Sequence, residues 1–535
     1  MRPRYRMPFG AELTEKGCTF QLWAPMARSV ELCIDDRRPL KLSRDDAGWY
    51  RMTVNGVRAG ARYRYKIDGE RMVPDPASRF QPDGVHGPSE VIAPVEWDDS
   101  WQGRPWHQAV IYEIHIGTFT AEGTYRAAID RLDHVRDLGA TAIEIMPLAA
   151  SPGRWGWGYD GVAWFAPQPQ YGRPEDLRAL IDAAHARGLM VLLDVVYNHF
   201  GPEGNYLHAY AKLAFVDDKD TPWGEGLAWR QPAVRDFVIH NALYWIEEYG
   251  FDGLRFDAVD QIHDSTVLVE LGQALRGTGR HIHLVLEDHE RRAELLELFD
   301  GHWIDDLHHV ALALGAGAAR GRYRPYAMAP LDMLAQGLGS VTYLQNHDRI
   351  GHRPRGERLH MEIAPEAWRA FTAILLLSPA VPLLFMGEEW AASTPFPFFC
   401  DLEKDLRDSV RQGRKAELVH LGEIDPGASI PDPFATQTFL SAKLRWSELG
   451  EHREALDHYR KLLAIRAREI APRLPAVDMT YRKDGKLLEA QWLLADDARL
   501  RLLADFSGDS HPSNPGTLHA HRVAGWWIEW SIYIP

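Results

Sequence analysis

Four short segments set acids beside residues able to hold or aim them: Asp194 with Asn198 and His199, Arg255 with Asp257, Glu287 with Asp288, and Asn346 with His347 and Asp348. Carboxyl groups in such company suit paired nucleophilic and acid–base chemistry, in which one ionised group attacks and one protonated group helps the leaving atom depart. Arg255 and Asp257 are two residues apart, so on a strand they share a face while Leu254 and Phe256 point the other way. A guanidinium beside Asp257 is expected to lower its pKa and keep it ionised, as a nucleophile requires. Glu287 as general acid needs the opposite, partial burial or a neighbouring carboxylate that preserves its proton near neutral pH. Asp348 could bind hydroxyl groups or help to keep Glu287 protonated. Asp194 could equally tie its strand end to its neighbours.

The elements that carry these residues follow one rhythm. Residues 108–470 read as strand then helix, repeated: VIYEIHIG, ATAIEIMPL, LMVLLDVV, FDGLRFDA, HIHLVLED, VTYLQNHD and VPLLFMG are the strand-like runs. Between them the spacing predicts helices over 124–138, after Pro174, and after Pro232, closed by Gly139, Gly188 and Gly250. About eight such strands with crossover helices give a parallel sheet buried on both faces, and a closed (β/α)8 barrel fits that count. In such a barrel the site lies at the C-terminal strand ends, where all four acid-bearing segments fall. The stretch 200–230 lacks strong periodicity and reads as a long loop over the site, with Trp223 in it as a candidate stacking ring or hydrophobic anchor. Residues 1–98 read as an all-β N-terminal sandwich, with turn pairs Ala47-Gly48, Asn55-Gly56 and Asp68-Gly69 between short strands, and a linker follows around Trp97–Pro105. Residues 472–535 return to strands as a C-terminal β-sandwich domain.

Composition narrows the class. The net charge of −15 in 535 residues argues against nucleic acid and an anionic membrane surface as partners. The three cysteines, Cys18, Cys33 and Cys400, are at no metal-ligand spacing and point to a reducing compartment. MRPRYRMPFGAEL has no apolar h-region, and the longest apolar run, 371–386, is broken by Ser378, Pro379 and Pro382. A cytoplasmic protein with no membrane segment is expected. Nineteen tryptophans suit a ligand with apolar ring faces, such as a sugar.

DVVYNH, DGLRFDAV, LVLEDH and LQNHD together resemble, in order and spacing, the four short regions of the α-amylase superfamily of glycoside hydrolases (family 13). The resemblance implies Asp257 as nucleophile, Glu287 as acid/base and Asp348 as transition-state stabiliser. It places Arg255, His199 and His347 around the sugar that is cleaved, with Tyr159 of WGYDG stacking on it. YEIHIGTFT, WGYDGVAWFAP, TPWGEGLAWR, WIDDLHH, YLQNHDRIG and PLLFMGEEW are similar, within that superfamily, to the malto-oligosyltrehalose trehalohydrolases. That likeness implies hydrolysis of the α-1,4 bond next to the terminal trehalose of maltooligosyl trehalose, work alongside a maltooligosyl trehalose synthase, and no metal or organic cofactor. Where many superfamily members carry Lys or His shortly after the nucleophile, this chain has Asp260 and Gln261. Two rival readings stand: a branching or debranching enzyme acting on α-1,6 linkages, and a non-catalytic glucan-binding protein on a retired barrel. QNHDRIG speaks against the first and the three acids against the second. The implied reaction is a retaining double displacement, for which the two carboxyl groups must stand about 5–5.5 Å apart.

Overall fold

The computed structural model describes residues 7–94, 100–212, 220–318, 323–336, 340–507, 516–523 and 526–534. Trp97 and part of the 200–230 loop lie outside them. At the centre is a closed barrel of eight parallel strands: β1 (Ile111–Ile114), β2 (Ala142–Ile145), β3 (Met190–Val195), β4 (Gly253–Phe256), β5 (His283–Leu286), β6 (Gly301–Ile304), β7 (Val341–Tyr343) and β8 (Val381–Phe385). Each pairs with the next, and Ile111 closes the ring against Leu383 of β8.

Register and alternation decide what fills the lumen. Ile111, Ala142, Met190, Leu192, Val285, Trp303, Val341, Tyr343, Val381 and Leu383 form one apolar cluster, separate from the larger core outside the barrel. Two residues further along the same faces the apolar run gives way to charge. Glu113 lies opposite Glu144 in the β1–β2 register, and Asp194 lies opposite Arg255 in the β3–β4 register. The charged layer therefore begins one pleat above the apolar plug, at the C-terminal end of the strands.

The helices that force this closure start and stop where local chemistry dictates. Pro174–His185 opens on Pro at its first turn, with Asp176 accepting from the Arg173 N–H at 2.9 Å. Pro232–Tyr244 opens likewise and runs into a wider π turn, Trp245–Tyr249, which Gly250 ends at φ 76°. The helix expected over 124–138 is two pieces, Tyr125–Ile129 and Leu132–Leu138, separated by a turn at Asp130 and Arg131. Tyr125, Ala128, Leu132, Val135 and Leu138 are all buried, and the turn lets both pieces face the core.

The N-terminal residues form two antiparallel sheets. One orders Gly10–Thr14, Gly17–Trp23, Trp49–Asn55 and Ser43–Arg44; the other is built around Val30–Ile34 and Arg62–Ile67. Phe9 of this sandwich meets Phe237 of a barrel helix at 5.1 Å, and Glu90 pairs with Arg173 at 2.7 Å. The C-terminal residues form one five-stranded antiparallel sheet, Ala476–Asp484, Leu487–Leu494, Arg499–Asp505, Trp526–Tyr533 and Thr517–Val523 in spatial order. Its second layer is the barrel helix Pro365–Leu377, whose Phe371 contacts Phe506 and Trp526. No described helix is long and apolar enough to cross a membrane.

Candidate active site

Arg255 is the hub of the charged layer. It is 1% exposed, and its guanidinium reaches three carboxyl groups. Nη1 donates to both oxygens of Asp194 (2.8 and 2.7 Å) and to Asp257 Oδ1 (2.9 Å), while Nη2 donates to Glu287 Oε2 (2.6 Å). Trp303, from β6, lies under the guanidinium with its ring centre 4.1 Å from Cζ. The planar fork suits this task because it presents several fixed donors at once.

Asp257 and Glu287 are thus bound to the same cation yet treated differently. Both oxygens of Asp257 accept: Oδ1 from Arg255, Oδ2 from Asn198 Nδ2 at 3.0 Å. Burial nevertheless raises its pKa, against the pull of Arg255, and Asp194 adds to the rise. The lowering expected from adjacency to Arg255 is therefore not the net result, because burial outweighs a guanidinium divided among three acids. Glu287 offers Oε2 to two donors, Arg255 and the Ala258 N–H at 3.0 Å. Its pKa is raised by burial and by the charges of Asp257 and Asp348, against Arg255. The Ala258 N–H is aimed by a left-handed backbone at φ 39°.

Asp348 contrasts with both. Burial opposes its charge, but Arg349 and His352 hold it ionised well below the usual carboxylate range. Arg349 Nη2 donates to Oδ2, and His352 Nε2 stands 2.9 Å from Oδ1. Arg349 is steadied in turn by Asp305 at 3.3 Å.

The predicted sugar-contacting residues gather around this set. Tyr159 donates to Asp194 Oδ2 at 2.6 Å, so its oxygen accepts from His347 Nε2 at 2.8 Å, and the two rings stack with centres 5.1 Å apart. The other nitrogen of His347 faces Glu113 Oε1 at 2.5 Å, and Glu113 Oε2 accepts the His347 backbone N–H. Partners on both sides make His347 an imidazolium, and Glu113 raises its pKa against burial. Asp194 spends both oxygens on Arg255 and Tyr159 and is 2% exposed. It orients those two groups from below. His199 bonds Asn198 through Nδ1 and stacks on Trp223, with ring centres 5.5 Å apart. Trp223 itself is 51% exposed, at the rim. Asp260 accepts from Gln261 (2.8 Å) and His289 (3.3 Å), which lower its pKa against burial. That pairing with Asp260 lifts His289 to about 9. Asp260 thus sits in a carboxylate–imidazolium pair.

Other acids turn out to be structural. Asp288 bonds Arg292, Glu389 accepts from Tyr112 and His134, and Glu388 from Tyr459. His308 bonds the Leu344 carbonyl and His309 bonds Asp305. Glu113, Trp303, Arg349 and His352 escaped the sequence reading. Glu113 alone carried a signal, as an acid inside an apolar, fully buried strand. Among the described residues, one His/Glu/Glu grouping brings ligand atoms within 4.8 Å of one another: His86, Glu203 and Glu403, where the N-terminal sheet meets the barrel loops. It touches none of the strand-end acids.

Comparison with known proteins gives the family. Residues 93–223 match the family profile "Alpha amylase, catalytic domain", and residues 8–84 match "Carbohydrate-binding module 48 (Isoamylase N-terminal domain)". A malto-oligosyltrehalose trehalohydrolase of Deinococcus radiodurans is 42% identical, covering 88% of this chain and 85% of its own length. That of Saccharolobus solfataricus is 38% identical over 86% and 87%. The crystal structure of a Salmonella typhimurium protein, given as a candidate alpha amylase, superposes with a TM-score of 0.91 at 38% identity, covering 99% of this chain and 100% of that one.

Proposed function

The chain belongs to the malto-oligosyltrehalose trehalohydrolases, and from that premise we infer that it is a retaining glycoside hydrolase releasing free trehalose and a shorter maltodextrin from maltooligosyl trehalose. The bond cut is the α-1,4 linkage next to the terminal trehalose unit. The observation that supports the chemistry is Arg255 contacting Asp257 and Glu287 together, which brings two carboxyl groups from neighbouring strand ends onto one donor.

The steps follow from the hydrogen bonds. Asp257 attacks the anomeric carbon with its carboxylate, steadied by Arg255 and Asn198. Glu287 Oε2 is engaged by two donors, so the acid proton sits on Oε1 and passes to the departing glycosidic oxygen. Trehalose leaves, and the ionised Glu287 then takes a proton from the water that opens the glycosyl-enzyme. Asp348, ionised throughout, stabilises the positive charge that builds on the sugar ring. His347, Tyr159 and His199 line the cleaved sugar, and Trp223 gives a stacking face at the rim. Asp260, three residues after the nucleophile and paired with His289, is assigned to the leaving-group side on its position in the sequence.

On this reading the enzyme acts after a maltooligosyl trehalose synthase that makes its substrate, and the three cysteines at no metal-ligand spacing support a reducing, cytoplasmic setting. The deciding experiment is product analysis on maltooligosyl trehalose: free trehalose and an α-configured new reducing end by NMR support the reading. Release of linear chains from branched glucan, with no trehalose from maltooligosyl trehalose, rejects it.

A further inference from the structure

We infer that His352, clamped as an imidazolium between Asp348 and Glu417, is a positioning residue that links the alignment of Asp348 to the surface helix Lys404–His420. This rests on the reading of Asp348 as transition-state stabiliser. His352 Nε2 lies 2.9 Å from Asp348 Oδ1, and Nδ1 lies 2.7 Å from Glu417 Oε1. A neutral imidazole has one N–H and one lone pair, so it would turn a lone pair on one of the two carboxylates. Only the doubly protonated ring donates to both. Both acids are ionised: Asp348 is held well below the usual range, and Glu417 is pushed down to about 2, against burial, chiefly by His352 and then by Arg414.

The helix grips this segment twice. Glu417 takes the His352 ring, and Arg414 Nη2 donates to the carbonyl oxygens of Gly351 and Arg353, on either side of His352. Arg414 Nη1 donates to Glu417 Oε2 at 2.9 Å, and the same nitrogen turns an N–H toward His352 Nδ1 at 2.9 Å, a donor-to-donor contact that the shared Glu417 carboxylate offsets while Nδ1 is protonated. The two oxygens of Glu417 therefore neutralise two neighbouring cations. The remaining groups near the ring are Arg349, on the far oxygen of Asp348, and the uncharged Trp157, edge-on with ring centres 6.0 Å apart. Asp348 is thus fixed from two directions, by Arg349 on Oδ2 and by His352 on Oδ1. When rising pH removes the second His352 proton, one of those two constraints is lost. The acid then drifts from the sugar, and turnover falls on the alkaline side. A displacement of about 1 Å at a reacting centre is enough to cost about 10²-fold.

The test measures kcat and KM for trehalose release across pH in wild type, Glu417→Gln, His352→Gln, Asp348→Asn and the His352→Gln/Asp348→Asn double variant. Glu417→Gln removes the anionic partner of the imidazolium and, on an α-maltooligosyl fluoride whose first step does not draw on the Glu287 proton, should move the alkaline limb of fluoride release down by about one pH unit. His352→Gln should lower kcat by about 10–100-fold with little change in KM, and it should add no further loss in the Asp348→Asn background. An alkaline limb in Glu417→Gln that coincides with wild type overturns the proposal, and so does a His352→Gln loss that multiplies that of Asp348→Asn. Glu417 is only partly buried, and Gln keeps its shape, so its variant decides the matter even where His352→Gln fails to fold. A wild-type enzyme that releases no trehalose but cleaves another α-glucan would overturn the assigned substrate instead, and the same cycle run on that glucan would still judge His352.

Discussion

Glu287→Gln isolates one proton from everything else the residue does. Glu287 Oε2 accepts from Arg255 Nη2 at 2.6 Å and from the Ala258 N–H at 3.0 Å. A Gln carbonyl set in the Oε2 position keeps both bonds, and its amide takes the place of the protonated Oε1. Glu287 is raised towards its neutral form by burial, Asp257 and Asp348, so the substitution changes the charge of the resting site little. What goes is the transferable proton. General acid–base catalysis of this kind is worth about 10²–10⁴-fold, or about 3–5.5 kcal/mol of barrier at about 1.4 kcal/mol per decade. Trehalose release from maltooligosyl trehalose should fall by that factor, with the melting temperature preserved. An α-maltooligosyl fluoride needs no proton to expel its leaving group. With that substrate the first step should survive, fluoride should appear as a burst, and the glycosyl-enzyme on Asp257 should accumulate because the second step lacks its base. Added azide, a nucleophile that needs no base, should restore turnover. The assays are a fluoride electrode, trehalose quantification and mass spectrometry of the trapped intermediate. An equal loss on both substrates would refute proton transfer as the role of Glu287, and near-normal trehalose release would remove it from the chemistry.

Four further predictions rest on different features. Burial raises Asp257 above the ordinary 3.8 and Glu287 above 4.5; because Asp257 must be ionised and Glu287 protonated, kcat/KM should fall with acid above the usual Asp range and with base above the usual Glu range. Asp348→Asn should move the alkaline limb of kcat/KM down, since Asp348 helps to raise Glu287, and an unmoved limb would contradict this. A Cβ on Gly351 would meet Trp157 Cη2 at 1.9 Å, so Gly351→Ala should cost about 1–3 kcal/mol by overpacking and lower turnover by shifting the turn that carries Asp348; a stable, fully active variant would show that the turn yields freely. Glu144 is fully buried, neither of its oxygens has a hydrogen-bond partner, and burial with the charges of Glu113 and Asp194 raises its pKa well above 4.5. The native state therefore holds a proton that the unfolded chain releases, and stability is lost as pH rises towards the folded value; Glu144→Gln should melt above wild type at alkaline pH with a margin that grows with pH, and a margin independent of pH would refute a neutral Glu144.

What was readable in the chain depended on whether its cause was local. Strand–helix alternation exposed the barrel because each element must bury a face, and an apolar run such as LMVLL, with Asp194 at its C-terminal end, is what a strand covered on both faces requires. The strand-end acids were readable because the barrel brings every C-terminal end to one rim. The break at Asp130 was not, because the apolar spacing of 124–138 is helical throughout and only packing divides it. The direction of the Asp257 shift was hidden for a related reason: neighbours in sequence show Arg255 beside it, while the competitors Asp194 and Glu287 come from other strands. His352 and Glu417 are 65 residues apart, and no spacing rule pairs them.

The roles of the three acids can be argued from how cations are shared out. Arg255 serves Asp194, Asp257 and Glu287 at once, so none of them has a full counter-charge in a site that disfavours charge. Asp257 compensates with a neutral donor, Asn198, on its second oxygen, which stabilises the anion without another positive charge that would follow it into the covalent intermediate. Glu287 has like charges nearby and keeps its proton. Asp348 has two cations, Arg349 and His352, that serve no other acid of the reacting group, and it is the one held firmly ionised. Besides the Arg255 it shares, Glu287 interacts with the His289 imidazolium through space, with Asp260 as the bonded partner of that ring; a cation bonded to Glu287 alone would lower its pKa and remove the acid. Loss of one beside Asp348 would let it take up a proton and forfeit the charge that meets the developing oxocarbenium. The division of cations is therefore as much a requirement of the reaction as the acids themselves, and Arg349 and His352 belong to the functional site although neither needs to touch the sugar.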